Sequence, residues 1–214
     1  MSTAPDASVP TRAGPPGPRG HLVLVRHGET AWSRSGQHTG LTDVPLTSEG
    51  AAAARRVATL LAGRTFARVF TSPLERAVRT AALAGLVDTE VDDRLVEWDY
   101  GGYEGLTTSE IRERLGRPWT VFTDGVVPGA TPGETVEAVA ARAAAVLADV
   151  EDDLMDGDVA LVGHGHHLRV LATVFLRQEP RMGAQLLLDA GSVSVLEHER
   201  ERPAIRSWNQ VAPA

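Results

Sequence analysis

The sequence predicts an α/β fold, a three-layer α/β/α sandwich with a mostly parallel sheet in a single domain. Apolar runs of strand length, such as Leu22–Val25 and Val159–Val162, alternate with longer alanine-rich stretches of helical periodicity. Alternation of this kind implies crossover helices on both faces of a parallel sheet. A chain of 214 residues with 43% hydrophobic content can bury one substantial core without a second domain, and no internal repeat divides it.

Each element has a local reason. Residues 1–20 carry Pro5, Pro10, Pro15, Pro16 and Pro18 with Gly14, Gly17 and Gly20, and are expected to form a flexible tail ahead of a domain spanning 21–214. Leu22 to Arg26 is the first strand. Thr47 is the N-cap of an alanine-rich helix running to Leu61, with Gly50 where a capping box would place Glu. Arg68 to Thr71 is a second strand. Ser72-Pro73 then reads as a helix start, serine at the N-cap and proline at the first helical position. Thr108 to Leu115 is a short amphipathic helix. Gly116 to Gly133, rich in glycine and proline around Trp119 and Phe122, is expected to be a loop folding over the site. Glu134 to Val150 is a long helix, Asp158 to Val162 a buried strand, and Gly165 to Arg177 a further helix. Ser192 to His198 and Ala204 to Trp208 complete the strands.

Composition removes several classes of function. There is no cysteine, hence neither a disulfide nor a thiol nucleophile, and no lysine, hence neither a Walker A phosphate loop nor a Schiff base. A net charge of −7 argues against nucleic-acid binding, which requires a basic face. No apolar stretch approaches the length of a membrane span, and the first residues lack the apolar centre of a secretory signal, so a cytoplasmic protein is expected.

The chemistry concentrates where strands end. Leu22-Val23-Leu24-Val25 runs into Arg26-His27-Gly28, and Val159-Ala160-Leu161-Val162 runs into Gly163-His164-Gly165. Open α/β sheets place ligand sites at the carboxyl ends of their strands. Two strands that each deliver His-Gly to the same edge can bring two imidazoles together. Beside them, arginine is the side chain whose planar fork matches phosphate oxygens. A carboxyl near a bound dianion can supply a proton to a leaving oxygen. Glu97, Asp99 and Asp93 all qualify, and the residues alone do not separate them.

These motifs, in order, resemble the histidine phosphatase superfamily, which includes the cofactor-dependent phosphoglycerate mutases. The resemblance is carried by Arg26-His27-Gly28-Glu29-Thr30, by Gly36 to Asp43 and by Leu46 to Gly50. It continues through Ser72 to Ala77, Glu97-Trp98-Asp99-Tyr100-Gly101 and His164 to Arg169, and so spans roughly residues 21–200. It implies that His27 is the phosphorylated nucleophile, that Arg26, Arg76 and His164 hold the phosphoryl group, and that Glu97 is the proton donor with Asp99 in reserve. It further implies substrate contacts from Ser33, His38, Thr39, Gly40, Tyr100 and Arg169, with the last two on a distal group of the substrate. The expected partner is a small phosphorylated substrate of sugar phosphate or phosphoglycerate type, handled by a monomer or homodimer without cofactor or metal. Glu-Trp-acidic-Tyr-Gly and Tyr103-Glu104-Gly105 look most like the bacterial acid phosphatase and sedoheptulose-bisphosphatase branches.

Alternatives remain open at this level. His164-Gly165-His166-His167 could belong to a metal-dependent hydrolase, although Leu168 stands where the common His-x-His-x-Asp-His pattern has aspartate. A non-catalytic phospho-ligand binder would keep the fold, but relatives of that kind have usually lost a catalytic histidine or arginine, and both are present here. Between mutase and phosphatase, Trp98 and Asp99 stand where the mutases are basic, which weakens any grip on a second anionic group during reversal. Interconversion of 2- and 3-phosphoglycerate is therefore expected to be negligible beside phosphate release, and efficient mutase turnover primed by 2,3-bisphosphoglycerate would reverse this reading.

Overall fold

The computed structural model describes residues 20–213. The tail expected over 1–20 lies outside the described residues apart from Gly20, which is buried and donates its N–H to Leu154 O at 2.9 Å. Six strands, β1 (Leu22–Arg26), β2 (Phe66–Thr71), β3 (Thr89–Val91), β4 (Asp158–Gly163), β5 (Ser192–Glu199) and β6 (Arg202–Val211), form one sheet in the order β3-β2-β4-β1-β5-β6. The first four positions of that order run parallel, while β5 is antiparallel to both β1 and β6. The helices are α1 (Ala31–Ser35), α2 (Ser48–Leu61), α3 (Glu75–Leu83), α4 (Thr108–Leu115), α5 (Val121–Asp124), α6 (Val136–Asp149), α7 (Asp153–Asp156) and α8 (Gly165–Phe175).

Alternation of side chains along β1 builds the three layers. Val23 and Val25 pack on α2 and α3 through Val57, Leu61, Ala77 and Ala81. Leu22 and Leu24 face the opposite layer, where α6 and α8 supply Val146, Leu168 and Leu171. Because both faces are covered, β1 and β4 are apolar without a break, as the sequence reads. Each such side chain contributes about 1.5–3 kcal/mol on full burial. A third cluster, of Trp98, Tyr100, Tyr103, Ile111, Trp119 and Phe122, rests on Val136, Val139 and Val170 of α6 and α8.

Thr47 caps α2 as expected, its hydroxyl accepting from Gly50 N at 2.9 Å. Ser72 does not cap α3. That helix starts at Glu75, whose N–H donates to the Asp43 carboxylate at 3.0 Å, and the Ser72 hydroxyl is instead bonded to His164 Nε2 at 2.7 Å. The residues from 116 to 133 are more than a loop: they hold α5 and bury Trp119, Val121 and Phe122 in the aromatic cluster. β3 escapes the sequence reading because it is a three-residue edge strand with no apolar run, and α1 because it is five residues long.

The turn leaving β1 meets the start of α2 through two glycines. A Cβ on Gly28 would lie 2.4 Å from Gly50 O, and one on Gly50 would lie 2.0 Å from Glu29 O. Backbone is the obstacle in both directions, so neither contact relaxes cheaply. Gly50→Ala is expected to lower stability by about 1–3 kcal/mol, read as a fall in the urea midpoint, whereas an unchanged midpoint would show that the two segments can separate freely.

Candidate active site

Parallel pairing of β1 with β4 sets Arg26 opposite Gly163, and His27 N donates to Gly163 O at 3.0 Å. His27 and His164 therefore leave neighbouring strands side by side, with ring centroids 5.0 Å apart and ring planes at 59°. β2 flanks β4 on its other side, and Ser72 N donates to Val162 O at 3.0 Å. Three adjacent strand ends thus present His27, His164 and Ser72.

A cleft of about 250 Å³ opens over this edge, and Arg26, His27, Ser33, His38, Thr39, Glu97, Tyr100, His166 and Arg169 line it. A recess of about 200 Å³ adjoins it, sharing His38, Thr108, His166 and Arg169 and walled by Trp119, Val121 and Phe122. A larger groove of about 680 Å³ lies along β2 and the ends of α2 and α3, but no histidine lines it, and its Arg64 and Arg68 are paired with Asp158 and Glu90.

His27 Nδ1 bonds Gly28 O at 2.7 Å. A carbonyl can only accept, so the proton sits on Nδ1 and the lone pair on Nε2. Burial, followed by the charges of Arg26 and Arg76, holds the His27 pKa well below the usual 6.5. His164 is fully buried, and burial together with His27 and Arg76 depresses its pKa likewise. Arg76 donates Nε–H to His164 Nδ1 at 3.2 Å, so the proton of His164 is on Nε2, facing Ser72 Oγ.

Arg76 lies beneath the cleft rather than in its wall. It is fully buried and donates to the backbone carbonyls of Thr42 (2.8 Å), Gly40 (2.8 Å) and Thr39 (3.2 Å), with Asp43 3.7 Å away. Arg26 reaches Leu188 O through Nη1, while its Nε is buried without a partner among the described residues.

Glu97 is 5% exposed and sits at the N-terminus of α8. Its Oε1 accepts from Trp98 N (2.9 Å) and His167 N (2.8 Å), and its Oε2 from His166 N alone (3.0 Å). Each carboxylate oxygen has room for two partners, so Oε2 is the oxygen left to carry a proton. Asp99, the reserve candidate, does not line the cleft. Its carboxylate binds Gly101 N, Thr131 Oγ1 and Gly133 N and ties the 131–133 turn in place. Asp93 lies in a 3-10 turn at residues 93–95, likewise outside the cleft lining.

The expected substrate residues separate into two groups. Ser33 lines the cleft, but its O–H donates to Thr30 O at 3.1 Å within the capping box of α1. Gly40 is outside the lining, and its N–H is taken by the Glu104 carboxylate at 2.9 Å. Thr39 faces the cleft while donating to Gln37 O at 3.2 Å. His38, whose pKa burial lowers to about 4, meets Thr108 Oγ1 at 3.3 Å and packs 4.7 Å from the Tyr100 ring. Burial and the Glu97 charge raise the Tyr100 pKa well above 10, so the phenol stays protonated, and its hydroxyl is hydrogen-bonded to His166 Nδ1. Arg169 donates Nε–H to Gly183 O at 2.7 Å and stacks 4.7 Å over the Phe122 ring, and its terminal N–H groups have no partner among the described residues.

Sequence reasoning missed Ser72 as the partner of His164, Leu188 as the carbonyl under Arg26, and His166. Ser72 and His166 stood in motifs already quoted, whereas nothing near Leu188 signals its part, 162 residues from Arg26. The three histidines of the metal alternative do not converge: His164 meets Ser72, His166 meets Tyr100, and neither nitrogen of buried His167 has a partner among the described residues. Among the described residues no group of three His, Asp or Glu side chains is arranged to hold a metal ion, and no helix is long and apolar enough to cross a membrane.

Comparison with known proteins identifies the family. The family pattern of the histidine phosphatase superfamily (branch 1) matches residues 22–211. An acid phosphatase of Mycobacterium tuberculosis is 40% identical over 86% of this chain and 89% of its own. A sedoheptulose 1,7-bisphosphatase of Saccharomyces cerevisiae is 35% identical over 72% of this chain and 66% of its own, and 2,3-bisphosphoglycerate-dependent phosphoglycerate mutases are matched as well. The solved structure of the product of open reading frame Rv3214 from Mycobacterium tuberculosis superposes with a TM-score of 0.85 at 36% identity, covering 91% of this chain and all of that one. The chain belongs to the histidine phosphatase superfamily.

The buried imidazoles make the fold sensitive to acid. His27, His164, His166 and His167 have folded-state pKa values well below 6.5, and His38 has one of about 4. Below pH 6.5 the unfolded chain binds protons that the folded chain refuses, so stability is complete above that pH and falls as pH drops through it. Each of these groups contributes at most about 1.4 kcal/mol per pH unit. Urea midpoints measured from pH 7.5 to 5 should fall steadily below 6.5, and a flat profile would contradict neutral burial.

Proposed function

We propose that this protein is a phosphomonoesterase that hydrolyses small phosphorylated metabolites through a phosphohistidine on His27. The observation that carries the reading is the single tautomer of His27: with Nδ1–H committed to Gly28 O, the lone pair is on Nε2, in a side chain that lines the cleft beside Arg26. Nε2 attacks phosphorus, the bond from phosphorus to the ester oxygen breaks, and that oxygen takes a proton from Glu97 Oε2 and leaves as an alcohol. Water then gives a proton back to Glu97 and attacks the phosphohistidine, which releases inorganic phosphate and restores His27.

Arg26 and Arg76 supply positive charge in a buried setting, where it acts more strongly than in water. His164 donates Nε2–H to Ser72 before the substrate enters, and can turn that donation to a phosphoryl oxygen once a dianion is bound. Arg169 is placed to meet a second acidic group of the substrate, since its Nε is anchored and its terminal N–H groups have no partner among the described residues. Arg112, anchored through Nε to Trp119 O at 3.0 Å, lies on the same recess. This pair favours sugar phosphates or phosphoglycerates with a distal anion.

Brief incubation with labelled substrate and an alkaline quench should trap phosphate on His27, and His27→Ala should lower turnover by several orders of magnitude. Label on a serine or an aspartate would overturn the mechanism. Because His27 stays neutral well below pH 6.5, the acid limb of kcat/KM should lie below that value.

A further inference from the structure

Glu97 stands on a stretch, residues 96–100, with no helix or strand to satisfy its backbone or fix its direction. One side chain on α6 takes over that task. Arg142 has five N–H donors, and all five are used. Nη1 donates to Arg94 O and Val96 O, both at 2.7 Å, and Nη2 to Glu97 O at 3.1 Å. The remaining two bonds, Nε to Glu134 Oε1 (2.9 Å) and Nη2 to Glu134 Oε2 (3.1 Å), tie the guanidinium to Glu134, just ahead of α6. Glu134 in turn accepts from Asp99 N at 3.0 Å through Oε2 and from Trp98 Nε1 at 2.9 Å through its carbonyl. Five of the six residues from 94 to 99 are therefore fastened to the Arg142–Glu134 pair, either through backbone or, for Trp98, through the indole.

The Glu97 carboxyl is gripped from the opposite side by the N–H groups of His166 and His167 at the start of α8. Arg142 sets the main chain and α8 sets the carboxylate, so between them Oε2 is aimed at the cleft. Arg142 itself does not line the cleft, so it touches no substrate there. We infer that Arg142 is a positioning residue for proton donation, acting through Glu97. This inference rests on the reading of Glu97 as the proton donor.

The effect of losing such a residue should depend on the leaving group. An alkoxide leaves poorly and needs the proton, whereas p-nitrophenolate leaves without one. A purely structural residue would slow both substrates alike. Arg142→Gln, Arg142→Lys, Glu97→Gln and the double variant Glu97→Gln/Arg142→Gln should be compared with the wild-type protein on a simple alkyl phosphate and on p-nitrophenyl phosphate.

Arg142→Gln is expected to lower kcat/KM on the alkyl ester by about ten- to a hundredfold, part of the ~10²–10⁴ that a general acid supplies. On p-nitrophenyl phosphate kcat/KM, which ends at departure of the leaving group and excludes hydrolysis of the phosphohistidine, should change by less than about threefold, and His27 should still trap label from it. Arg142→Lys, which keeps the charge and part of the grip on the carbonyls, should fall between Arg142→Gln and wild type and supplies the test if Arg142→Gln does not fold. The double variant should be no slower on the alkyl ester than Glu97→Gln, because both changes remove one function.

Equal loss on both substrates, or additive loss in the double variant, would overturn the role of Arg142 while leaving the Glu97 reading intact. If Glu97→Gln itself lowered kcat/KM alike for both substrates, the proton-donor reading would fail, and the assignment of Arg142 would fall with it.

Discussion

The register between β1 and β4 is the constraint on which the rest of this molecule depends. Strand pairing in steps of two residues leaves no intermediate setting, and a slip by one would exchange the two faces of β1 between the helix layers. With Leu22 and Leu24 fitted to α8 and Val23 and Val25 to α2 and α3, the register Arg26↔Gly163 is the one that satisfies both cores. It is also the register that sets His27 against His164. The spacing of the two imidazoles is therefore a property of the whole hydrophobic interior, and Ser72 joins them because β2 is held to β4 by the same pairing.

A buried cluster of like charges needs something to hold it. Arg76 is held by three carbonyls of the Thr39–Thr42 segment, and Arg26 by Leu188 O. Carbonyl oxygens satisfy guanidinium donors without cancelling their charge, so the positive field remains for an incoming anion. A carboxylate in those places would bind the arginines more strongly and quench them. Asp43 approaches Arg76 only to 3.7 Å and is itself 44% exposed, which fits this arrangement. The segments that offer the carbonyls are secured in turn by side chains outside the cleft, such as Glu104, which holds Gly40 N and Thr42 N.

Much of this was legible in the sequence because it is local. The strands ending in His27 and His164, the Thr47 cap and the helix over Thr108–Leu115 follow from runs and caps that a short window contains. Ser72 shows where local reading stops. Ser-Pro followed by an alanine-rich run favours an N-cap, but a partner 92 residues away takes the hydroxyl, and Asp43 caps the helix instead. Asp99 is a similar case, since its type and place suit an acid and only the fold shows its carboxylate closed upon Thr131 and Gly133. Motif spacing could name the residues at the site; it could not say which of their polar atoms were already committed to the fold.

That commitment explains a tension built into the site. The burial that lowers the His27 pKa, on which the proposed attack on phosphorus depends, is shared by His38, His164, His166 and His167. In the proposed reaction only His27 needs the lowered pKa. The others lie around it because aromatic and imidazole rings wall the cleft, as His38 and His166 do with Tyr100, Trp119 and Phe122. Desolvation would thus extend the proposed chemistry toward low pH, and it makes the folded chain refuse the protons that the unfolded chain accepts. The two effects have one physical cause, and they pull in opposite directions as the pH falls.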